Sequence, residues 1–178
     1  MLVWLIKIGE PLPSTSVPST FRTGMLAEAL TKHGHQVVWW TSAFDHITKQ
    51  WHSPAAIEGE GRPGLRLQLL RGIGYRTNVS VRRWLDHRII AKNFRRTAIR
   101  LPRPDIMVAS LPDHLLAFEA VRYARERRIP VLVDIRDPWP ELFLQITSSR
   151  FWRRLLRVAL SRDFWKLREI MTGADGLL

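Results

Sequence analysis

The segment RTGMLAEALTKHGHQVVWWTSAFD, residues Arg22–Asp45, holds a helix, a glycine stop and a buried strand in two dozen residues. Met25, Leu26, Ala29, Leu30 and His33 recur at helical spacing, with Glu28, Thr31 and Lys32 on the other side. Gly34 is placed to end that helix in a left-handed cap, and Val37–Thr41 then reads as a strand. An apolar run, Leu2–Ile8, precedes the segment and reads as an earlier strand. Strand, helix and second parallel strand make the opening unit of a doubly wound, nucleotide-binding type of α/β sheet.

The rest of the chain continues this alternation. Ser42–Pro63 is polar and reads as a long loop, and Leu65–Leu70 as a third strand between Gly64 and Gly72. Val81–Leu101 reads as a basic amphipathic helix whose Val81, Trp84, Leu85, Phe94 and Ala98 face the core, stopped by Pro102 and Pro104. Asp105–Ala109 is a fourth strand. Ser110-Leu-Pro-Asp113 then resembles a helix start, with Ser110 as cap, Pro112 in the first turn and Asp113 near the positive dipole end. That helix runs to about Arg128, and Val131–Ile135 follows as a fifth strand. Phe151–Met171 reads as a last helix and Asp175–Leu178 as a sixth strand. Right-handed crossovers turn this succession into an α/β fold with strand order 3-2-1-4-5-6, a Rossmann-like doubly wound parallel sheet.

Composition narrows the function. The chain has 178 residues, enough for one domain with a sizeable core, and 46% of them are hydrophobic, as in a globular protein. No apolar run approaches the ~18 residues of a spanning helix. Leu2–Ile8 is too short for a signal-peptide core, so the expected location is cytoplasmic. Without cysteine there is no disulfide, thiolate metal site or cysteine nucleophile. The net charge of +12 is uneven: eight Lys and Arg stand against Asp86 between Arg82 and Arg103, and seven against Asp163 between Arg150 and Arg168. Such fields draw polyanions, whether nucleic acid, anionic membrane or phosphorylated small molecules.

Ligands of a doubly wound sheet bind beyond the carboxyl ends of its strands, where the winding reverses. Here that selects Gly9–Arg22, Ser110–His114 and Asp134–Glu141. The first loop delivers Arg22, Thr23 and Gly24 to a helix N-terminus, whose free amides and dipole suit phosphate. Equally, Ser19 or Thr20 caps the helix and Arg22 is solvated. At the third, the strand period puts Asp134 and Arg136 on one face, either as a structural ion pair or, with Asp137, as ligands of sugar hydroxyls. Trp139 is placed to stack on a sugar ring or to pack under a loop.

Several patterns carry nothing. Gly59-Glu-Gly61-Arg-Pro-Gly64 matches G-x-G-x-x-G but precedes a strand and opens no helix. No Walker-type phosphate loop occurs, and no D-x-D, which argues against a metal-dependent sugar transferase of the single-domain kind. His33, His35, Asp45, His46 and His52 lack a ligand spacing on one helix, so no metal site is expected. No helix-turn-helix, zinc or RNP-like pattern supports nucleic acid. Phe151, Trp152, Leu155 and Leu156, interleaved with Arg150, Arg153, Arg154 and Arg157, suit either an anionic membrane surface or a core-packed helix with a solvated arginine face.

Taken together, the chain resembles the N-terminal domain of a family 4 glycosyltransferase of the GT-B fold. The marks are Gly9-Glu-Pro-Leu-Pro13, Arg22-Thr-Gly24, Gly34-His-Gln-Val37, Trp39-Trp-Thr-Ser-Ala-Phe-Asp-His46, Pro104-Asp105, Asp134-Ile-Arg-Asp-Pro-Trp-Pro-Glu141 and Ala174-Asp-Gly-Leu177. The resemblance implies two Rossmann-like domains facing across a cleft. This chain, residues 1–178, would be the acceptor side, and a C-terminal donor-binding domain carrying E-x7-E would hold the nucleotide-sugar. It implies retaining, metal-independent transfer with the nucleotide-sugar as co-substrate and no other cofactor, and a glycan or lipid-linked acceptor. Arg22, Thr23 and Gly24 would lie near the leaving diphosphate. Asp134, Arg136 and Asp137 would lie near the sugar or acceptor, with Asp45, His46, Ser110, Trp139 and Glu141 as further substrate contacts. Ser14-Thr-Ser16 stands where many members have paired glycines, and Arg136-Asp137 where many have histidine. The chain has no E-x7-E, since Glu119 and Glu126 are one residue too close; by itself it is expected to be inactive.

Overall fold

A computed structural model describes residues 1–12, 21–52, 63–136, 154, 158 and 160–178 of the chain. Six parallel strands form one sheet in the order β3-β2-β1-β4-β5-β6: β1 Leu2–Ile6, β2 Gln36–Ser42, β3 Leu65–Leu70, β4 Ile106–Ser110, β5 Val131–Asp134 and β6 Gly176–Leu177. The helices are α1 Arg22–Lys32, α2 Val81–Ala98, α3 His114–Arg127 and α4 Ser161–Gly173. This is the α/β, Rossmann-like architecture and the strand order that the alternation predicts. Gly34, at φ +78°, takes the left-handed position that ends α1.

Strand alternation divides the apolar side chains between two faces. Trp4, Ile6, Val38, Trp40, Met107, Ala109, Val131 and Val133 meet Ile90 and Phe94 of α2, Leu116, Ala120 and Ala124 of α3, and Ile170 of α4. Val3, Leu5, Val37, Trp39 and Val108 meet Ala27 of α1 on the other face, with Leu26 and Leu30 beside it. Trp4 and Trp40 are fully buried, and among the described residues their indole N–H groups have no partner. Each unmade bond costs about 1–3 kcal/mol. Burial of a ring of ~200 Å² contributes about 5 kcal/mol as an upper bound, so packing wins.

Three local expectations change. In α1 the buried positions are Thr23, Gly24 and Ala27, while Met25, Ala29 and His33 are exposed. In α2 the buried face is Asp86, Ile90, Ala91, Phe94 and Ala98, whereas Val81, Trp84 and Leu85 are exposed. The reason is Asp86: its Oδ1 accepts the Ile73 amide at 2.6 Å and the Gly74 amide at 2.8 Å, which turns the first turns of α2 by a polar anchor. Third, Ser110 caps no helix. It ends β4, the ladder continues through the Leu111 amide to the Asp134 carbonyl at 2.9 Å, and α3 starts only after a cis Leu111–Pro112 bond. Pro112 therefore precedes the helix rather than sitting in its first turn. The basic stretch Arg150–Arg157 lies outside the described residues except for Arg154, which is helical and exposed.

Candidate functional site

The carboxyl ends of β1, β4 and β5 meet the first turn of α1 and build a polar network there. The register sets Ser110 directly beside Asp134, so the Ser110 hydroxyl donates to Asp134 Oδ2 at 3.2 Å. Two residues on, Arg136 Nε donates to the same oxygen at 2.7 Å, the pair that strand alternation predicts. Its Nη1 reaches Glu10 Oε1 and its Nη2 donates to Thr23 Oγ1 at 2.8 Å. Glu10 also accepts the Thr23 amide at 3.1 Å and the Thr23 hydroxyl at 2.9 Å.

A carboxylate thus sits at the N-terminus of α1, where a bound anion would be favoured by the dipole. Gly9, at φ +82°, turns the chain to bring Glu10 there. Arg22 Nη2 lies 3.2 Å from Asp134 Oδ1 and remains 60% exposed, while the Glu10, Asp134 and Arg136 side chains are 5%, 5% and 18% exposed. Burial works against the Arg136 charge, but its hydrogen bonds to Asp134 and Glu10 outweigh that and hold its pKa above the ordinary guanidinium value. Arg136 is a fixed cation and Arg22 a movable one.

A second polar region adjoins the first across the ends of β1, β2 and β4. A cavity of about 200 Å³ is lined by Lys7, His46, Tyr75, Arg83, His87 and Asp113, among others. Lys7 Nζ binds Asp113 Oδ2 at 2.7 Å in a buried pair. Burial alone would raise the Asp113 pKa; the Lys7 charge and bond, with His87 and Arg83 nearby, hold it below the usual carboxylate value. The Tyr75 hydroxyl is 2.7 Å from His46 Nδ1, and burial pushes the Tyr75 pKa up to about 12, so it stays protonated. Burial first, then the Lys49 and Arg83 charges, lower the His46 pKa. Burial also lowers that of His87, against the pull of Asp113 and with help from Arg83.

Arg22, Thr23, Ser110, Asp134 and Arg136 are therefore brought together, and Gly24 is buried in the same first turn of α1. His46 lines the neighbouring cavity. Asp45 instead makes the turn leading to it: its Oδ1 accepts the Ile47 and Thr48 amides at 2.6 and 3.1 Å. Those amides lower its pKa, although burial opposes them. Asp137, Trp139 and Glu141 lie outside the described residues. Sequence reasoning passed over Glu10, Lys7, Tyr75, Arg83 and His87. Lys7 did leave a signal, a lone cation inside an apolar strand run, which demands a buried counter-charge. Among the described residues no group of His, Asp or Glu is arranged to hold a metal ion.

A family model described as a glycosyl transferase 4-like domain matches residues 19–166. No curated protein matches the chain.

Proposed function

The chain belongs to the glycosyl transferase 4-like domain family, and from that premise we propose that it is the acceptor-side domain of a retaining, metal-independent glycosyltransferase. It works with a C-terminal donor-binding domain, the N-terminal half of a GT-B fold meeting its partner, and moves a sugar from a nucleotide-sugar to a lipid-linked or polysaccharide acceptor. The observation that carries this reading is the convergence of Glu10, Arg22, Thr23, Ser110, Asp134 and Arg136 on one rim.

The roles follow from how each side chain is held. Transfer breaks the bond between the anomeric carbon and the diphosphate, and negative charge grows on the departing oxygen. Arg22, exposed and within 3.2 Å of Asp134, can turn to that oxygen, and the dipole of α1 points the same way. Arg136 cannot leave without stranding two buried carboxylates, so it serves as a preset donor for sugar or acceptor hydroxyls. Asp134 keeps one oxygen for Arg136 and Ser110 and the other toward Arg22. Asp137, Trp139 and Glu141, which follow β5 in sequence, complete the proposed contacts.

The acceptor reading also uses the basic surface. Val79, Val81, Trp84 and Leu85 are exposed around the start of α2, with Arg76, Arg82 and Arg88 exposed among them. Apolar side chains ringed by arginines suit an anionic lipid surface, which fits a peripheral enzyme at the inner face of the membrane. Among the described residues no helix is long and apolar enough to cross a membrane.

The test is to read the gene beyond Leu178 for a domain of similar size with E-x7-E, express the whole, and assay transfer from a nucleotide-sugar panel with a chelator present. Transfer with retained anomeric configuration is expected, with Arg22→Ala about 10²–10³ slower in kcat. Abolition by the chelator, inversion at the anomeric carbon, or tight nucleotide-sugar binding by the 178-residue chain alone would each overturn the proposal.

A further inference from the structure

Among the described residues lining the cavity beside the network, two cations, Lys7 and Arg83, stand with two carboxylates, Asp86 and Asp113, but the four are not paired alike. Of its two carboxylates, Asp113 is held by Lys7 at 2.7 Å, and Asp86 Oδ1 accepts the Ile73 and Gly74 amides at 2.6 and 2.8 Å. The other cation is not matched in this way. Arg83 Nη1 donates to the Asn78 carbonyl at 2.7 Å and its guanidinium lies 5.6 Å from the centre of the Tyr75 ring. Lys49 Nζ reaches the His46 carbonyl and the Asn78 side-chain oxygen, and lies 4.9 Å from the same ring centre. Among the described residues no carboxylate pairs with Arg83 or Lys49. Arg83, in the cavity wall, and Lys49, which touches the lining residues His46 and Tyr75, both face neutral acceptors.

The histidines add donors. His46 Nδ1 lies 2.7 Å from the Tyr75 hydroxyl, which can donate or accept, and 3.4 Å from Lys49 Nζ, which can only donate. It must therefore accept, which places the ring proton on Nε2. His87 Nδ1 lies 3.8 Å from Asp113 Oδ1, too far for a hydrogen bond. The cavity, about 200 Å³, has room for a phosphoryl group and part of what carries it.

We propose that this cavity binds the phosphoryl group of a phosphomonoester, with Arg83 as its forked donor and His46 and His87 beside it. A phosphoryl group offers two oxygens to the planar fork of Arg83, which among the described residues meets only neutral acceptors, and keeps a third for the imidazoles. Resting on the transferase reading, this makes the acceptor a phosphorylated molecule, either a soluble sugar phosphate or a phosphomonoester lipid headgroup.

Binding should also be linked to protonation. His46 faces Tyr75, Lys49, Arg83, Asp113 and His87; His87 faces Asp113, Arg83, Asp86, His114 and Tyr75, with Lys7 on the same wall. Burial and the cations keep both rings neutral near pH 7, and an anion reverses the electrostatic part of that. Affinity for an anion that does not itself titrate must then rise as pH falls below the ordinary histidine range.

The experiment is calorimetric titration of the chain with glucose 6-phosphate, glucose and sulfate at about pH 8 and about pH 5.5. Cosedimentation with phosphatidylcholine vesicles with and without phosphatidic acid separates the lipid source from the soluble one. Glucose 6-phosphate, or phosphatidic acid vesicles, should bind and glucose should not. Arg83→Leu should weaken the bound probe about 10- to 100-fold. Arg96→Leu, on an exposed part of α2 outside the cavity lining, should leave it unchanged. Sulfate should bind more tightly at the lower pH, and less so in His87→Gln. Should Arg83→Leu not fold, the imidazole resonances of His46 and His87 should still move on addition of glucose 6-phosphate to the unsubstituted chain, while those of exposed His33 do not.

Binding of neither glucose 6-phosphate nor phosphatidic acid vesicles, binding of glucose as tight as that of its phosphate, an Arg83→Leu protein that folds and binds as before, or His46 and His87 resonances unmoved by a probe that binds would overturn the inference. Phosphate binding without transfer by the two-domain enzyme sinks only the transferase reading. Transfer to neutral glycans without phosphate binding sinks only this one.

Discussion

Two polar regions lie side by side at the rim of the sheet and treat charge in opposite ways. In the Glu10–Asp134–Arg136 network each buried carboxylate meets a guanidinium, and the one exposed cation, Arg22, is still within 3.2 Å of Asp134. In the Arg83–His46–His87 cavity the carboxylates are held by Lys7 and by backbone amides, and among the described residues Arg83 meets only a neutral oxygen and a ring. The first region is closed on itself and so gives rigidity. The second holds a guanidinium that no described carboxylate pairs with, the group to which the proposed phosphoryl site is assigned. Stability and recognition are separated between neighbours, which makes the division measurable.

The largest expected effect tests the closed region. Arg136→Ala strands Glu10 and Asp134 with 5% exposure each, and should cost about 3–5 kcal/mol in urea unfolding. A cost below about 1 kcal/mol would mean that the network is solvated and that the contrast fails. Next, Asp86→Ala removes the acceptor of the Ile73 and Gly74 amides and should cost about 2–3 kcal/mol. It should also loosen the cavity wall, seen as faster hydrogen exchange at those two amides.

A smaller effect follows from pH. His46, His87 and His114 all have pKa values lowered in the folded chain, chiefly by burial; for His114 that outweighs its bond to Asp163 at 2.8 Å. Their unfolded values lie near 6.5, so the unfolded state binds protons first. The stability they contribute is complete above that pH and is lost as pH falls through their folded values. The urea midpoint should therefore drop between about pH 7 and about pH 5, and drop less in His114→Gln. A flat profile would contradict their burial. The smallest effect sharpens the contrast: Arg83→Leu should change stability by about 1 kcal/mol or less while removing most phosphate affinity.

The α/β fold was legible because buried parallel strands appear as short apolar runs, and the crossover rule converts their succession into an order. Trp39 and Trp40, adjacent and on opposite faces, could only sit in a strand covered on both sides. Helix faces were less legible. Hydropathy pointed to Val81, Trp84 and Leu85, but a buried carboxylate, Asp86, orients the start of α2. In α1 the docked face begins with Thr23 and Gly24, held by Glu10 rather than by apolar packing. The same blindness hid the cavity. Tyr75, Arg83 and His87 come from a loop and a helix far from β1 in sequence, and only the folded sheet edge places them opposite Lys7 and Asp113.

Tryptophan packing has a consequence for how these experiments are read. Trp4 and Trp40 lie 4.8 Å apart between ring centres, with Phe94 and Tyr123 against them, in the cluster that joins β1 and β2 to α2 and α3. Two indoles so close and so dry should couple electronically, giving an exciton signature in circular dichroism and blue-shifted emission. Trp84 and Trp165, at 42% and 53% exposure, emit from water instead. The chain thus carries its own optical reporter of the central sheet, distinguishable in colour from its surface.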